Sequence, residues 1–420
     1  MVAATTGYQI RSFAEAAKAL GIRLVFASDR CDQLDDPWWD QAIPVRFYAE
    51  RDSVAAVAAA FGEARPDGVI AVGDRPAVLA AHLAAALGLP GNPPDAAARS
   101  RNKLDAREAF RAAGLRTPWF RQVRVDADVV RGGRLQAAFA DVPYPAVLKP
   151  LALSGSRGVM RVNGPAELDA AFARLRALLA LPDIRLERDA VHDRAMIESF
   201  IPGREFAVEA VLTHGRLQLF AIFDKPDPMD GPIFEETIYV TPSRVPAESQ
   251  SRIAAAMASA AAALGLRHGP VHAECRVNDA GVYVLEVAAR PIGGLCSKAL
   301  RFVGDASLEE VLLRHALGAD VSGYRAAPGA SGVMMIPIPR RGIYRGVEGV
   351  DAAAAVPGVE SVEITARPDT ALVPLPEGRS YLGFIFARAP QPAQVERALR
   401  TAHARLRFSI DREVPLAHGS

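Results

Sequence analysis

Two glutamates placed to face each other constrain this chain more than any other feature. They occur in VHAECRVNDAGVYVLEVAARPIGG, where Glu274 and Glu286 sit in two apolar runs joined by Asp279-Ala280-Gly281. A three-residue hairpin loop there, with Gly281 at positive φ, sets Glu274 opposite Glu286. Directly opposed side chains lie roughly 4.5–5.5 Å apart at Cβ, so two bare carboxylates would destabilise the ladder unless a cation lies between them. This points to a magnesium site, with manganese as an alternative. A solvated hairpin carrying both glutamates on one face fits the same residues.

The 420 residues are 50% hydrophobic and 23% charged, enough to bury cores for about two to four domains. A formal net charge of +1 offers no electrostatic case for a nucleic-acid or membrane partner. The three cysteines, Cys31, Cys275 and Cys296, form no CxxC, and the chain start lacks the features of a signal peptide; a cytoplasmic location fits. Cys275 and Cys296 read as packing residues, with a nucleophilic role as the alternative. The alanine-rich runs at 53–60 and 253–264 are too short or too interrupted to span a bilayer.

Residues 1–95 alternate between helical and extended patterns: helices over 13–20, 53–65 and 76–87, strands over 23–27, 42–47 and 68–72. The alternation predicts a parallel sheet flanked by helices. Residues 1–5 are short for a first strand, as if the natural start were trimmed or misassigned. Gly91-Asn92-Pro93-Pro94 closes this unit, and a helix over 101–113 follows. A strand-rich segment to about residue 200 and a second mixed segment to about 320 come next. In a final portion, 321–420, VMMIPIP, VESVEIT and YLGFIFARA read as strands and 391–406 as a helix.

Lys149 ends an apolar strand and precedes Leu151-Ala-Leu-Ser-Gly-Ser-Arg-Gly158, whose small residues let backbone N–H groups approach phosphate oxygens. A glycine-rich hairpin with a snorkelling lysine is the alternative. Lys103 opens the helix after Asn102, a position where a lysine works against the helix dipole; an anion nearby would explain it, as would simple surface exposure. In MIESFIPGREFAVEAV, Glu198 ends one strand and Glu205 begins the next around Phe200 and Ile201. Two carboxylates beside an apolar wall suit a purine and its ribose. A hairpin whose glutamates face water is the other reading.

The blocks occur in one order: a lysine, a lysine with a Gly/Ser loop, E-S-F-I-P-G-R-E, then paired glutamates followed by Arg290. As an ordered set they resemble the ATP-grasp superfamily, which includes biotin carboxylase, D-alanyl-D-alanine ligase and the L-amino-acid ligases. The resemblance implies an α/β ATP-grasp fold: an N-terminal Rossmann-like (pre-ATP-grasp) domain over 1–95, an ATP-grasp domain over 96–320 with a lid at about 120–200, and a small α+β C-terminal subdomain over 321–420. It implies that Lys103 and Lys149 grip ATP phosphates beneath a loop containing Ser154, Gly155, Ser156 and Gly158. It also implies that Glu198 and the backbone at Ile201, beside Phe200, read adenine, while Glu205 holds ribose. Glu274 and Glu286 would ligate magnesium, Lys225 in FDKP would lie near the γ-phosphate, and Arg290 would stabilise the transferring phosphoryl group.

Glu286-Val287-Ala288 departs from the Glu-x-Asn of many members, leaving a second magnesium to water or phosphate oxygens. EVAARPIGG, the segment FEETIYVTPS, and the tail SGVMMIPIPRRG with PLPEGRSYLGFIFARA resemble the L-amino-acid-ligase (carboxylate-amine ligase) branch. By that resemblance Glu236 would hold a substrate ammonium group, near Gly293 and Gly294; a solvent-facing Glu236 is the alternative. The implied reaction activates a carboxylate as an acyl phosphate and joins it to an amine, releasing ADP and phosphate. Its partners would be small carboxylates and amines, the protein itself being a candidate homodimer. A bicarbonate-activating enzyme like biotin carboxylase is the nearest rival, a non-catalytic ATP-binding module the next. A Rossmann dehydrogenase lacks its G-x-G-x-x-G. His272 shares a face with Glu274, whereas His268 and His192 read as loop residues; no histidine is assigned to a metal.

Overall fold

The computed structural model of the chain describes residues 1–4, 9–29, 42–125, 139 and 141–412. Thr5, Cys31 and part of the expected lid fall outside these residues. The N-terminal sheet has four parallel strands in the order Ile43–Pro44, Ala27–Ser28, Val2–Ala3, Ala71–Val72. Helices Ile10–Ala19, Glu50–Phe61 and Asp74–Leu87 accompany it, as the alternation predicts. The strands are shorter than the apolar runs that announce them. Helix Asp74–Leu87 starts after Gly73 with an acid in its first turn, which suits the positive end of the helix dipole, and it stops at Gly88 in the left-handed region.

One difference concerns residues 94–101. After Gly91-Asn92-Pro93, Pro94 begins a helix, Pro94–Arg101, because proline at the first helical position loses no hydrogen bond. Asn102 then caps the next helix, Lys103–Ala112, accepting from the N–H of Leu104 at 3.1 Å.

Two sheets build the rest. A four-stranded sheet runs Phe120–Arg124, Arg194–Ser199, Ala146–Pro150, Met160–Val162, packed on helix Pro165–Leu179 through Leu148, Leu168, Phe172 and Leu175. An eight-stranded sheet runs Gly281–Ala288, Gly269–Asn278, Arg204–Thr213, Arg216–Asp224, Ile238–Thr241, Ala330–Ile336, Gly383–Ala389, Val359–Ile364. This sheet is continuous across residue 321, since Ile238–Thr241 pairs with Ala330–Ile336. Helix Pro392–His403 packs on it through Val395 and Leu399, and a three-stranded sheet completes the C-terminal part.

Pro202-Gly203 corrects the hairpin alternative for ESFIPGRE. The strands on either side are not partners: Arg194–Ser199 belongs to the four-stranded sheet and Arg204–Thr213 to the eight-stranded one. The turn therefore links two sheets. Gly203 sits at φ 121° against the Val277 carbonyl, a close approach that leaves no room for a side chain.

The glutamate hairpin also differs in detail. Glu274 pairs with Glu286, but the turn is Asp279–Ala280, closed by Asn278 opposite Gly281. Gly281 begins the second strand. A bulge between Glu274 and Cys275 then adds one residue opposite the first strand and restores the Glu274–Glu286 register. Among the described residues, no helix is long and apolar enough to cross a membrane.

Candidate active site

The two sheets and the N-terminal unit enclose a cavity of about 420 Å³. From the lid side it is lined by Lys149, Ser154, Gly155, Ser156, Glu198, Phe200 and Ile201, and from the helix start by Lys103. The eight-stranded sheet supplies Glu205, Glu236, Glu274 and Glu286, followed by Arg290, Gly293 and Gly294. Gly158 and Lys225 do not line it. Gly158 lies at φ 76° and a side chain there would meet Leu178 at 2.9 Å; its N–H donates to the Pro376 carbonyl at 2.7 Å. It anchors the loop rather than facing the cavity.

On the lid side the charges are closely paired. Glu198 accepts from Lys149, and from Arg107 Nε at 3.1 Å and Nη2 at 2.9 Å. Glu198 is 2% exposed, so the water-facing alternative is overturned. Burial alone would raise its pKa, but Arg107 and Lys149 hold it below the usual carboxylate range. Burial lowers the Lys149 ammonium, against the pull of Glu198. Lys103 Nζ donates to the Leu153 carbonyl at 2.7 Å and lies 3.1 Å from Glu286. One lysine thus ties the helix start, the Gly/Ser loop and the hairpin together.

On the sheet side three carboxylates converge on one lysine. Lys225 Nζ lies 2.8 Å from Glu205, 2.5 Å from Glu236 and 3.0 Å from Glu274. These three glutamates each offer an oxygen, all within 4.8 Å of one another. Arg276 Nε takes the other oxygen of Glu205 at 2.8 Å, and its guanidinium lies over Phe200 and Phe234. Burial, then the charge of Glu274, pushes Glu236 up to about 7 against the pull of Lys225. Tyr239 Oη donates to Glu236 at 2.8 Å, and Glu236 does not face bulk solvent.

Glu274 itself is held well below the usual range: burial opposes ionisation, but Lys225 and His272 prevail. His272 Nδ1 lies 3.1 Å from the fully buried Glu209, and although burial disfavours its charge, these partners raise it to about 9. Arg290 Nε donates to Asp74 at 2.9 Å and its Nη2 lies 3.8 Å from Glu286. The N-terminal unit therefore fixes Arg290 through a carboxylate at a helix start. Burial pushes the Cys275 and Cys296 thiols up, which keeps both protonated and inert as nucleophiles.

An all-carboxylate donor set suits a hard divalent cation. Glu205, Glu236 and Glu274 form the cluster, with the Lys225 ammonium among them; Glu286 stands outside it, beside Lys103 and Arg290. Sequence reasoning missed Asp74, Arg107, Glu209 and Arg276. Arg107 had a signal, since it follows Lys103 by four residues on one helix face. The others are brought in by sheet register and by the packing of the N-terminal unit.

Three stretches match known families: residues 14–91 the ATP-grasp N-terminal domain, 142–299 the ATP-grasp domain, and 334–411 the L-amino acid ligase C-terminal domain 2. The chain belongs to the ATP-grasp superfamily. The crystal structure of an L-amino acid ligase from Bacillus licheniformis superposes with a TM-score of 0.81 at 26% identity, covering 98% of each chain. Carnosine synthase 1 of Gallus gallus is 33% identical over 235 residues, 55% of this chain and 25% of that protein. Alanine–anticapsin ligase of Bacillus subtilis is 28% identical over 221 residues, 49% of this chain and 44% of that protein. The chain thus matches less than half the length of these two curated relatives.

Proposed function

We propose that this ATP-grasp protein is an ATP-dependent carboxylate-amine ligase, joining an activated carboxylate to the amine of an amino acid and releasing ADP and phosphate. The observation that carries the reading is the division of the cavity: cations beside a small-residue loop on one wall, and a cluster of three carboxylates around Lys225 on the other. The likeness to an L-amino acid ligase over 98% of the chain supports it.

A carboxylate is a poor electrophile, so an amine attacks it only after activation. Lys103 and Lys149 would hold the nucleotide phosphates under residues 154–156, with Phe200 and Ile201 forming the wall for the purine and Glu205 beside its ribose. Glu274, with Glu286 across the hairpin, would hold magnesium; when bound, this ion neutralises phosphate charge. Arg290, oriented by Asp74, would stabilise the phosphoryl group as it passes to the substrate carboxylate, with Lys225 nearby. Glu236, pushed up to about 7, would receive the substrate ammonium near Gly293 and Gly294. Closure of the lid over the cavity would keep water from the acyl phosphate.

The reading is tested by following ADP formation over amino acids offered singly and in pairs, with bicarbonate alone as control and mass spectrometry to find the amide. Amino-acid-dependent ADP and a new amide are expected. ADP formation stimulated by bicarbonate alone, without any amide, would replace the ligase by the bicarbonate-activating alternative.

A further inference from the structure

The cations lining the cavity are not equivalent. Lys103, Lys149, His272, Arg276 and Arg290 each have a protein carboxylate within 3.1 Å. Arg379 does not: the nearest carboxylate recorded for it is Asp183, at 3.7 Å, and its side chain is 64% exposed. Asp183 is already engaged by Arg157 at 2.9 Å. Among the described residues, Arg379 is the one cavity-lining cation whose charge no close carboxylate offsets.

Its placement adds to this. Arg379 and Tyr381, two residues apart just before the strand Gly383–Ala389, both line the cavity. Tyr381 lines the same cavity as Glu236, the carboxylate read above as the ammonium site. Arg379 also borders a second cavity.

We infer that Arg379 binds the carboxylate of the second substrate, so that the acceptor is an amino acid and not a simple amine or amide. The phosphates have Lys103 and Lys149, and the transferring group has Arg290, all of which approach from other elements. A guanidinium on the C-terminal segment leaves a planar fork for a carboxylate, a two-point contact that also orients the amine. The inference rests on the ligase reading.

The experiment compares wild type, Arg379→Ala and Arg379→Lys with every amino-acid acceptor the wild type uses and with the corresponding amino-acid amide. Loss of a charge-assisted contact should raise the acceptor KM of Arg379→Ala about 10- to 100-fold for the acids. The KM for the amides and for ATP should change by less than about threefold, since neither is expected to touch this side chain. Arg379→Lys should recover part of the loss by restoring charge without the fork. A KM for ATP that rises as much as that of the acceptor assigns Arg379 to phosphate and overturns the inference. So does an unchanged acceptor KM, or a wild type that takes amides as readily as acids. The ligase reading is scored separately by wild-type trapping with hydroxylamine, a nucleophile without a carboxylate: no hydroxamate from any amino acid means that no acyl phosphate forms.

Discussion

The two walls of the cavity solve the problem of buried charge in opposite ways. On the lid side one carboxylate, Glu198, has two cations, Arg107 and Lys149, and remains ionised in a nearly closed environment. On the sheet side three carboxylates crowd one ammonium, Lys225, and one of them, Glu236, is pushed up to about 7. The first arrangement carries surplus positive charge and is ready for phosphate. The second gathers three carboxylates, each with an oxygen within 4.8 Å of the others, and is shaped for a metal ion or a substrate ammonium. Balanced pairing favours stability, and imbalance stores binding capacity at some cost in stability.

The contrast is broken most severely at Arg107, whose side chain is buried and also donates to the Val284 carbonyl at 2.6 Å. Arg107→Leu should lose about 3–5 kcal/mol of stability, because Glu198 would keep only one partner in a buried site. Denaturant unfolding measures this, and a loss below about 1 kcal/mol would mean that the lid-side pairing is not structural. Glu274→Gln should behave differently, leaving the fold intact while kcat falls about 10²–10³-fold, the scale of removing one electrostatic group from a reaction site. Steady-state ADP formation beside thermal melts reads both quantities; wild-type turnover would detach the acidic wall from catalysis.

Glu236→Gln sharpens the comparison with a smaller effect. A carboxyl group whose folded pKa is raised from 4.5 to about 7 contributes stability that is present below pH 4.5 and lost as pH rises through 7. Above pH 7 the variant should therefore be more stable than wild type, by about 1–3 kcal/mol. Its activity should lose the acid limb near pH 7 that wild type shows as Glu236 becomes ionised. Melting curves and rate profiles over pH 5–9 test both parts. A variant less stable than wild type at pH 8 would show that Lys225 outweighs the repulsion from Glu274.

Local signals made much of this legible in the sequence. The N-terminal alternation, the C-terminal strands, and the pairing of Glu274 with Glu286 follow from periodicity and turn residues, which act over a few positions. The bulge beside Glu274 was not legible, because it falls inside the hairpin where no glycine or turn residue marks it, while the pairing of the same strand with Arg204–Thr213 runs unbroken. The same holds for Pro202-Gly203: a strand, a turn and a strand read alike whether the strands pair or part into two sheets. Asp74 was invisible as a site residue because its partner, Arg290, lies far along the chain and is brought to it only by the packing of the N-terminal unit. Motif order located the cavity walls, while the partners that set their charges came from tertiary contacts.

The account centres on transfer of a phosphoryl group to a carboxylate, and oxygen bookkeeping tests that step directly. Amino acids labelled with ¹⁸O in the carboxylate are incubated with ATP and the protein, and the released phosphate is analysed by mass spectrometry. Attack of the carboxylate on the γ-phosphorus leaves one substrate oxygen bridging carbon and phosphorus, and departure of phosphate when the amine attacks carries that oxygen away. Phosphate bearing a single ¹⁸O, formed in step with ADP and amide, is the predicted result. ADP formed at the full rate with unlabelled phosphate would contradict the account, because the γ-phosphoryl group would then have passed to water.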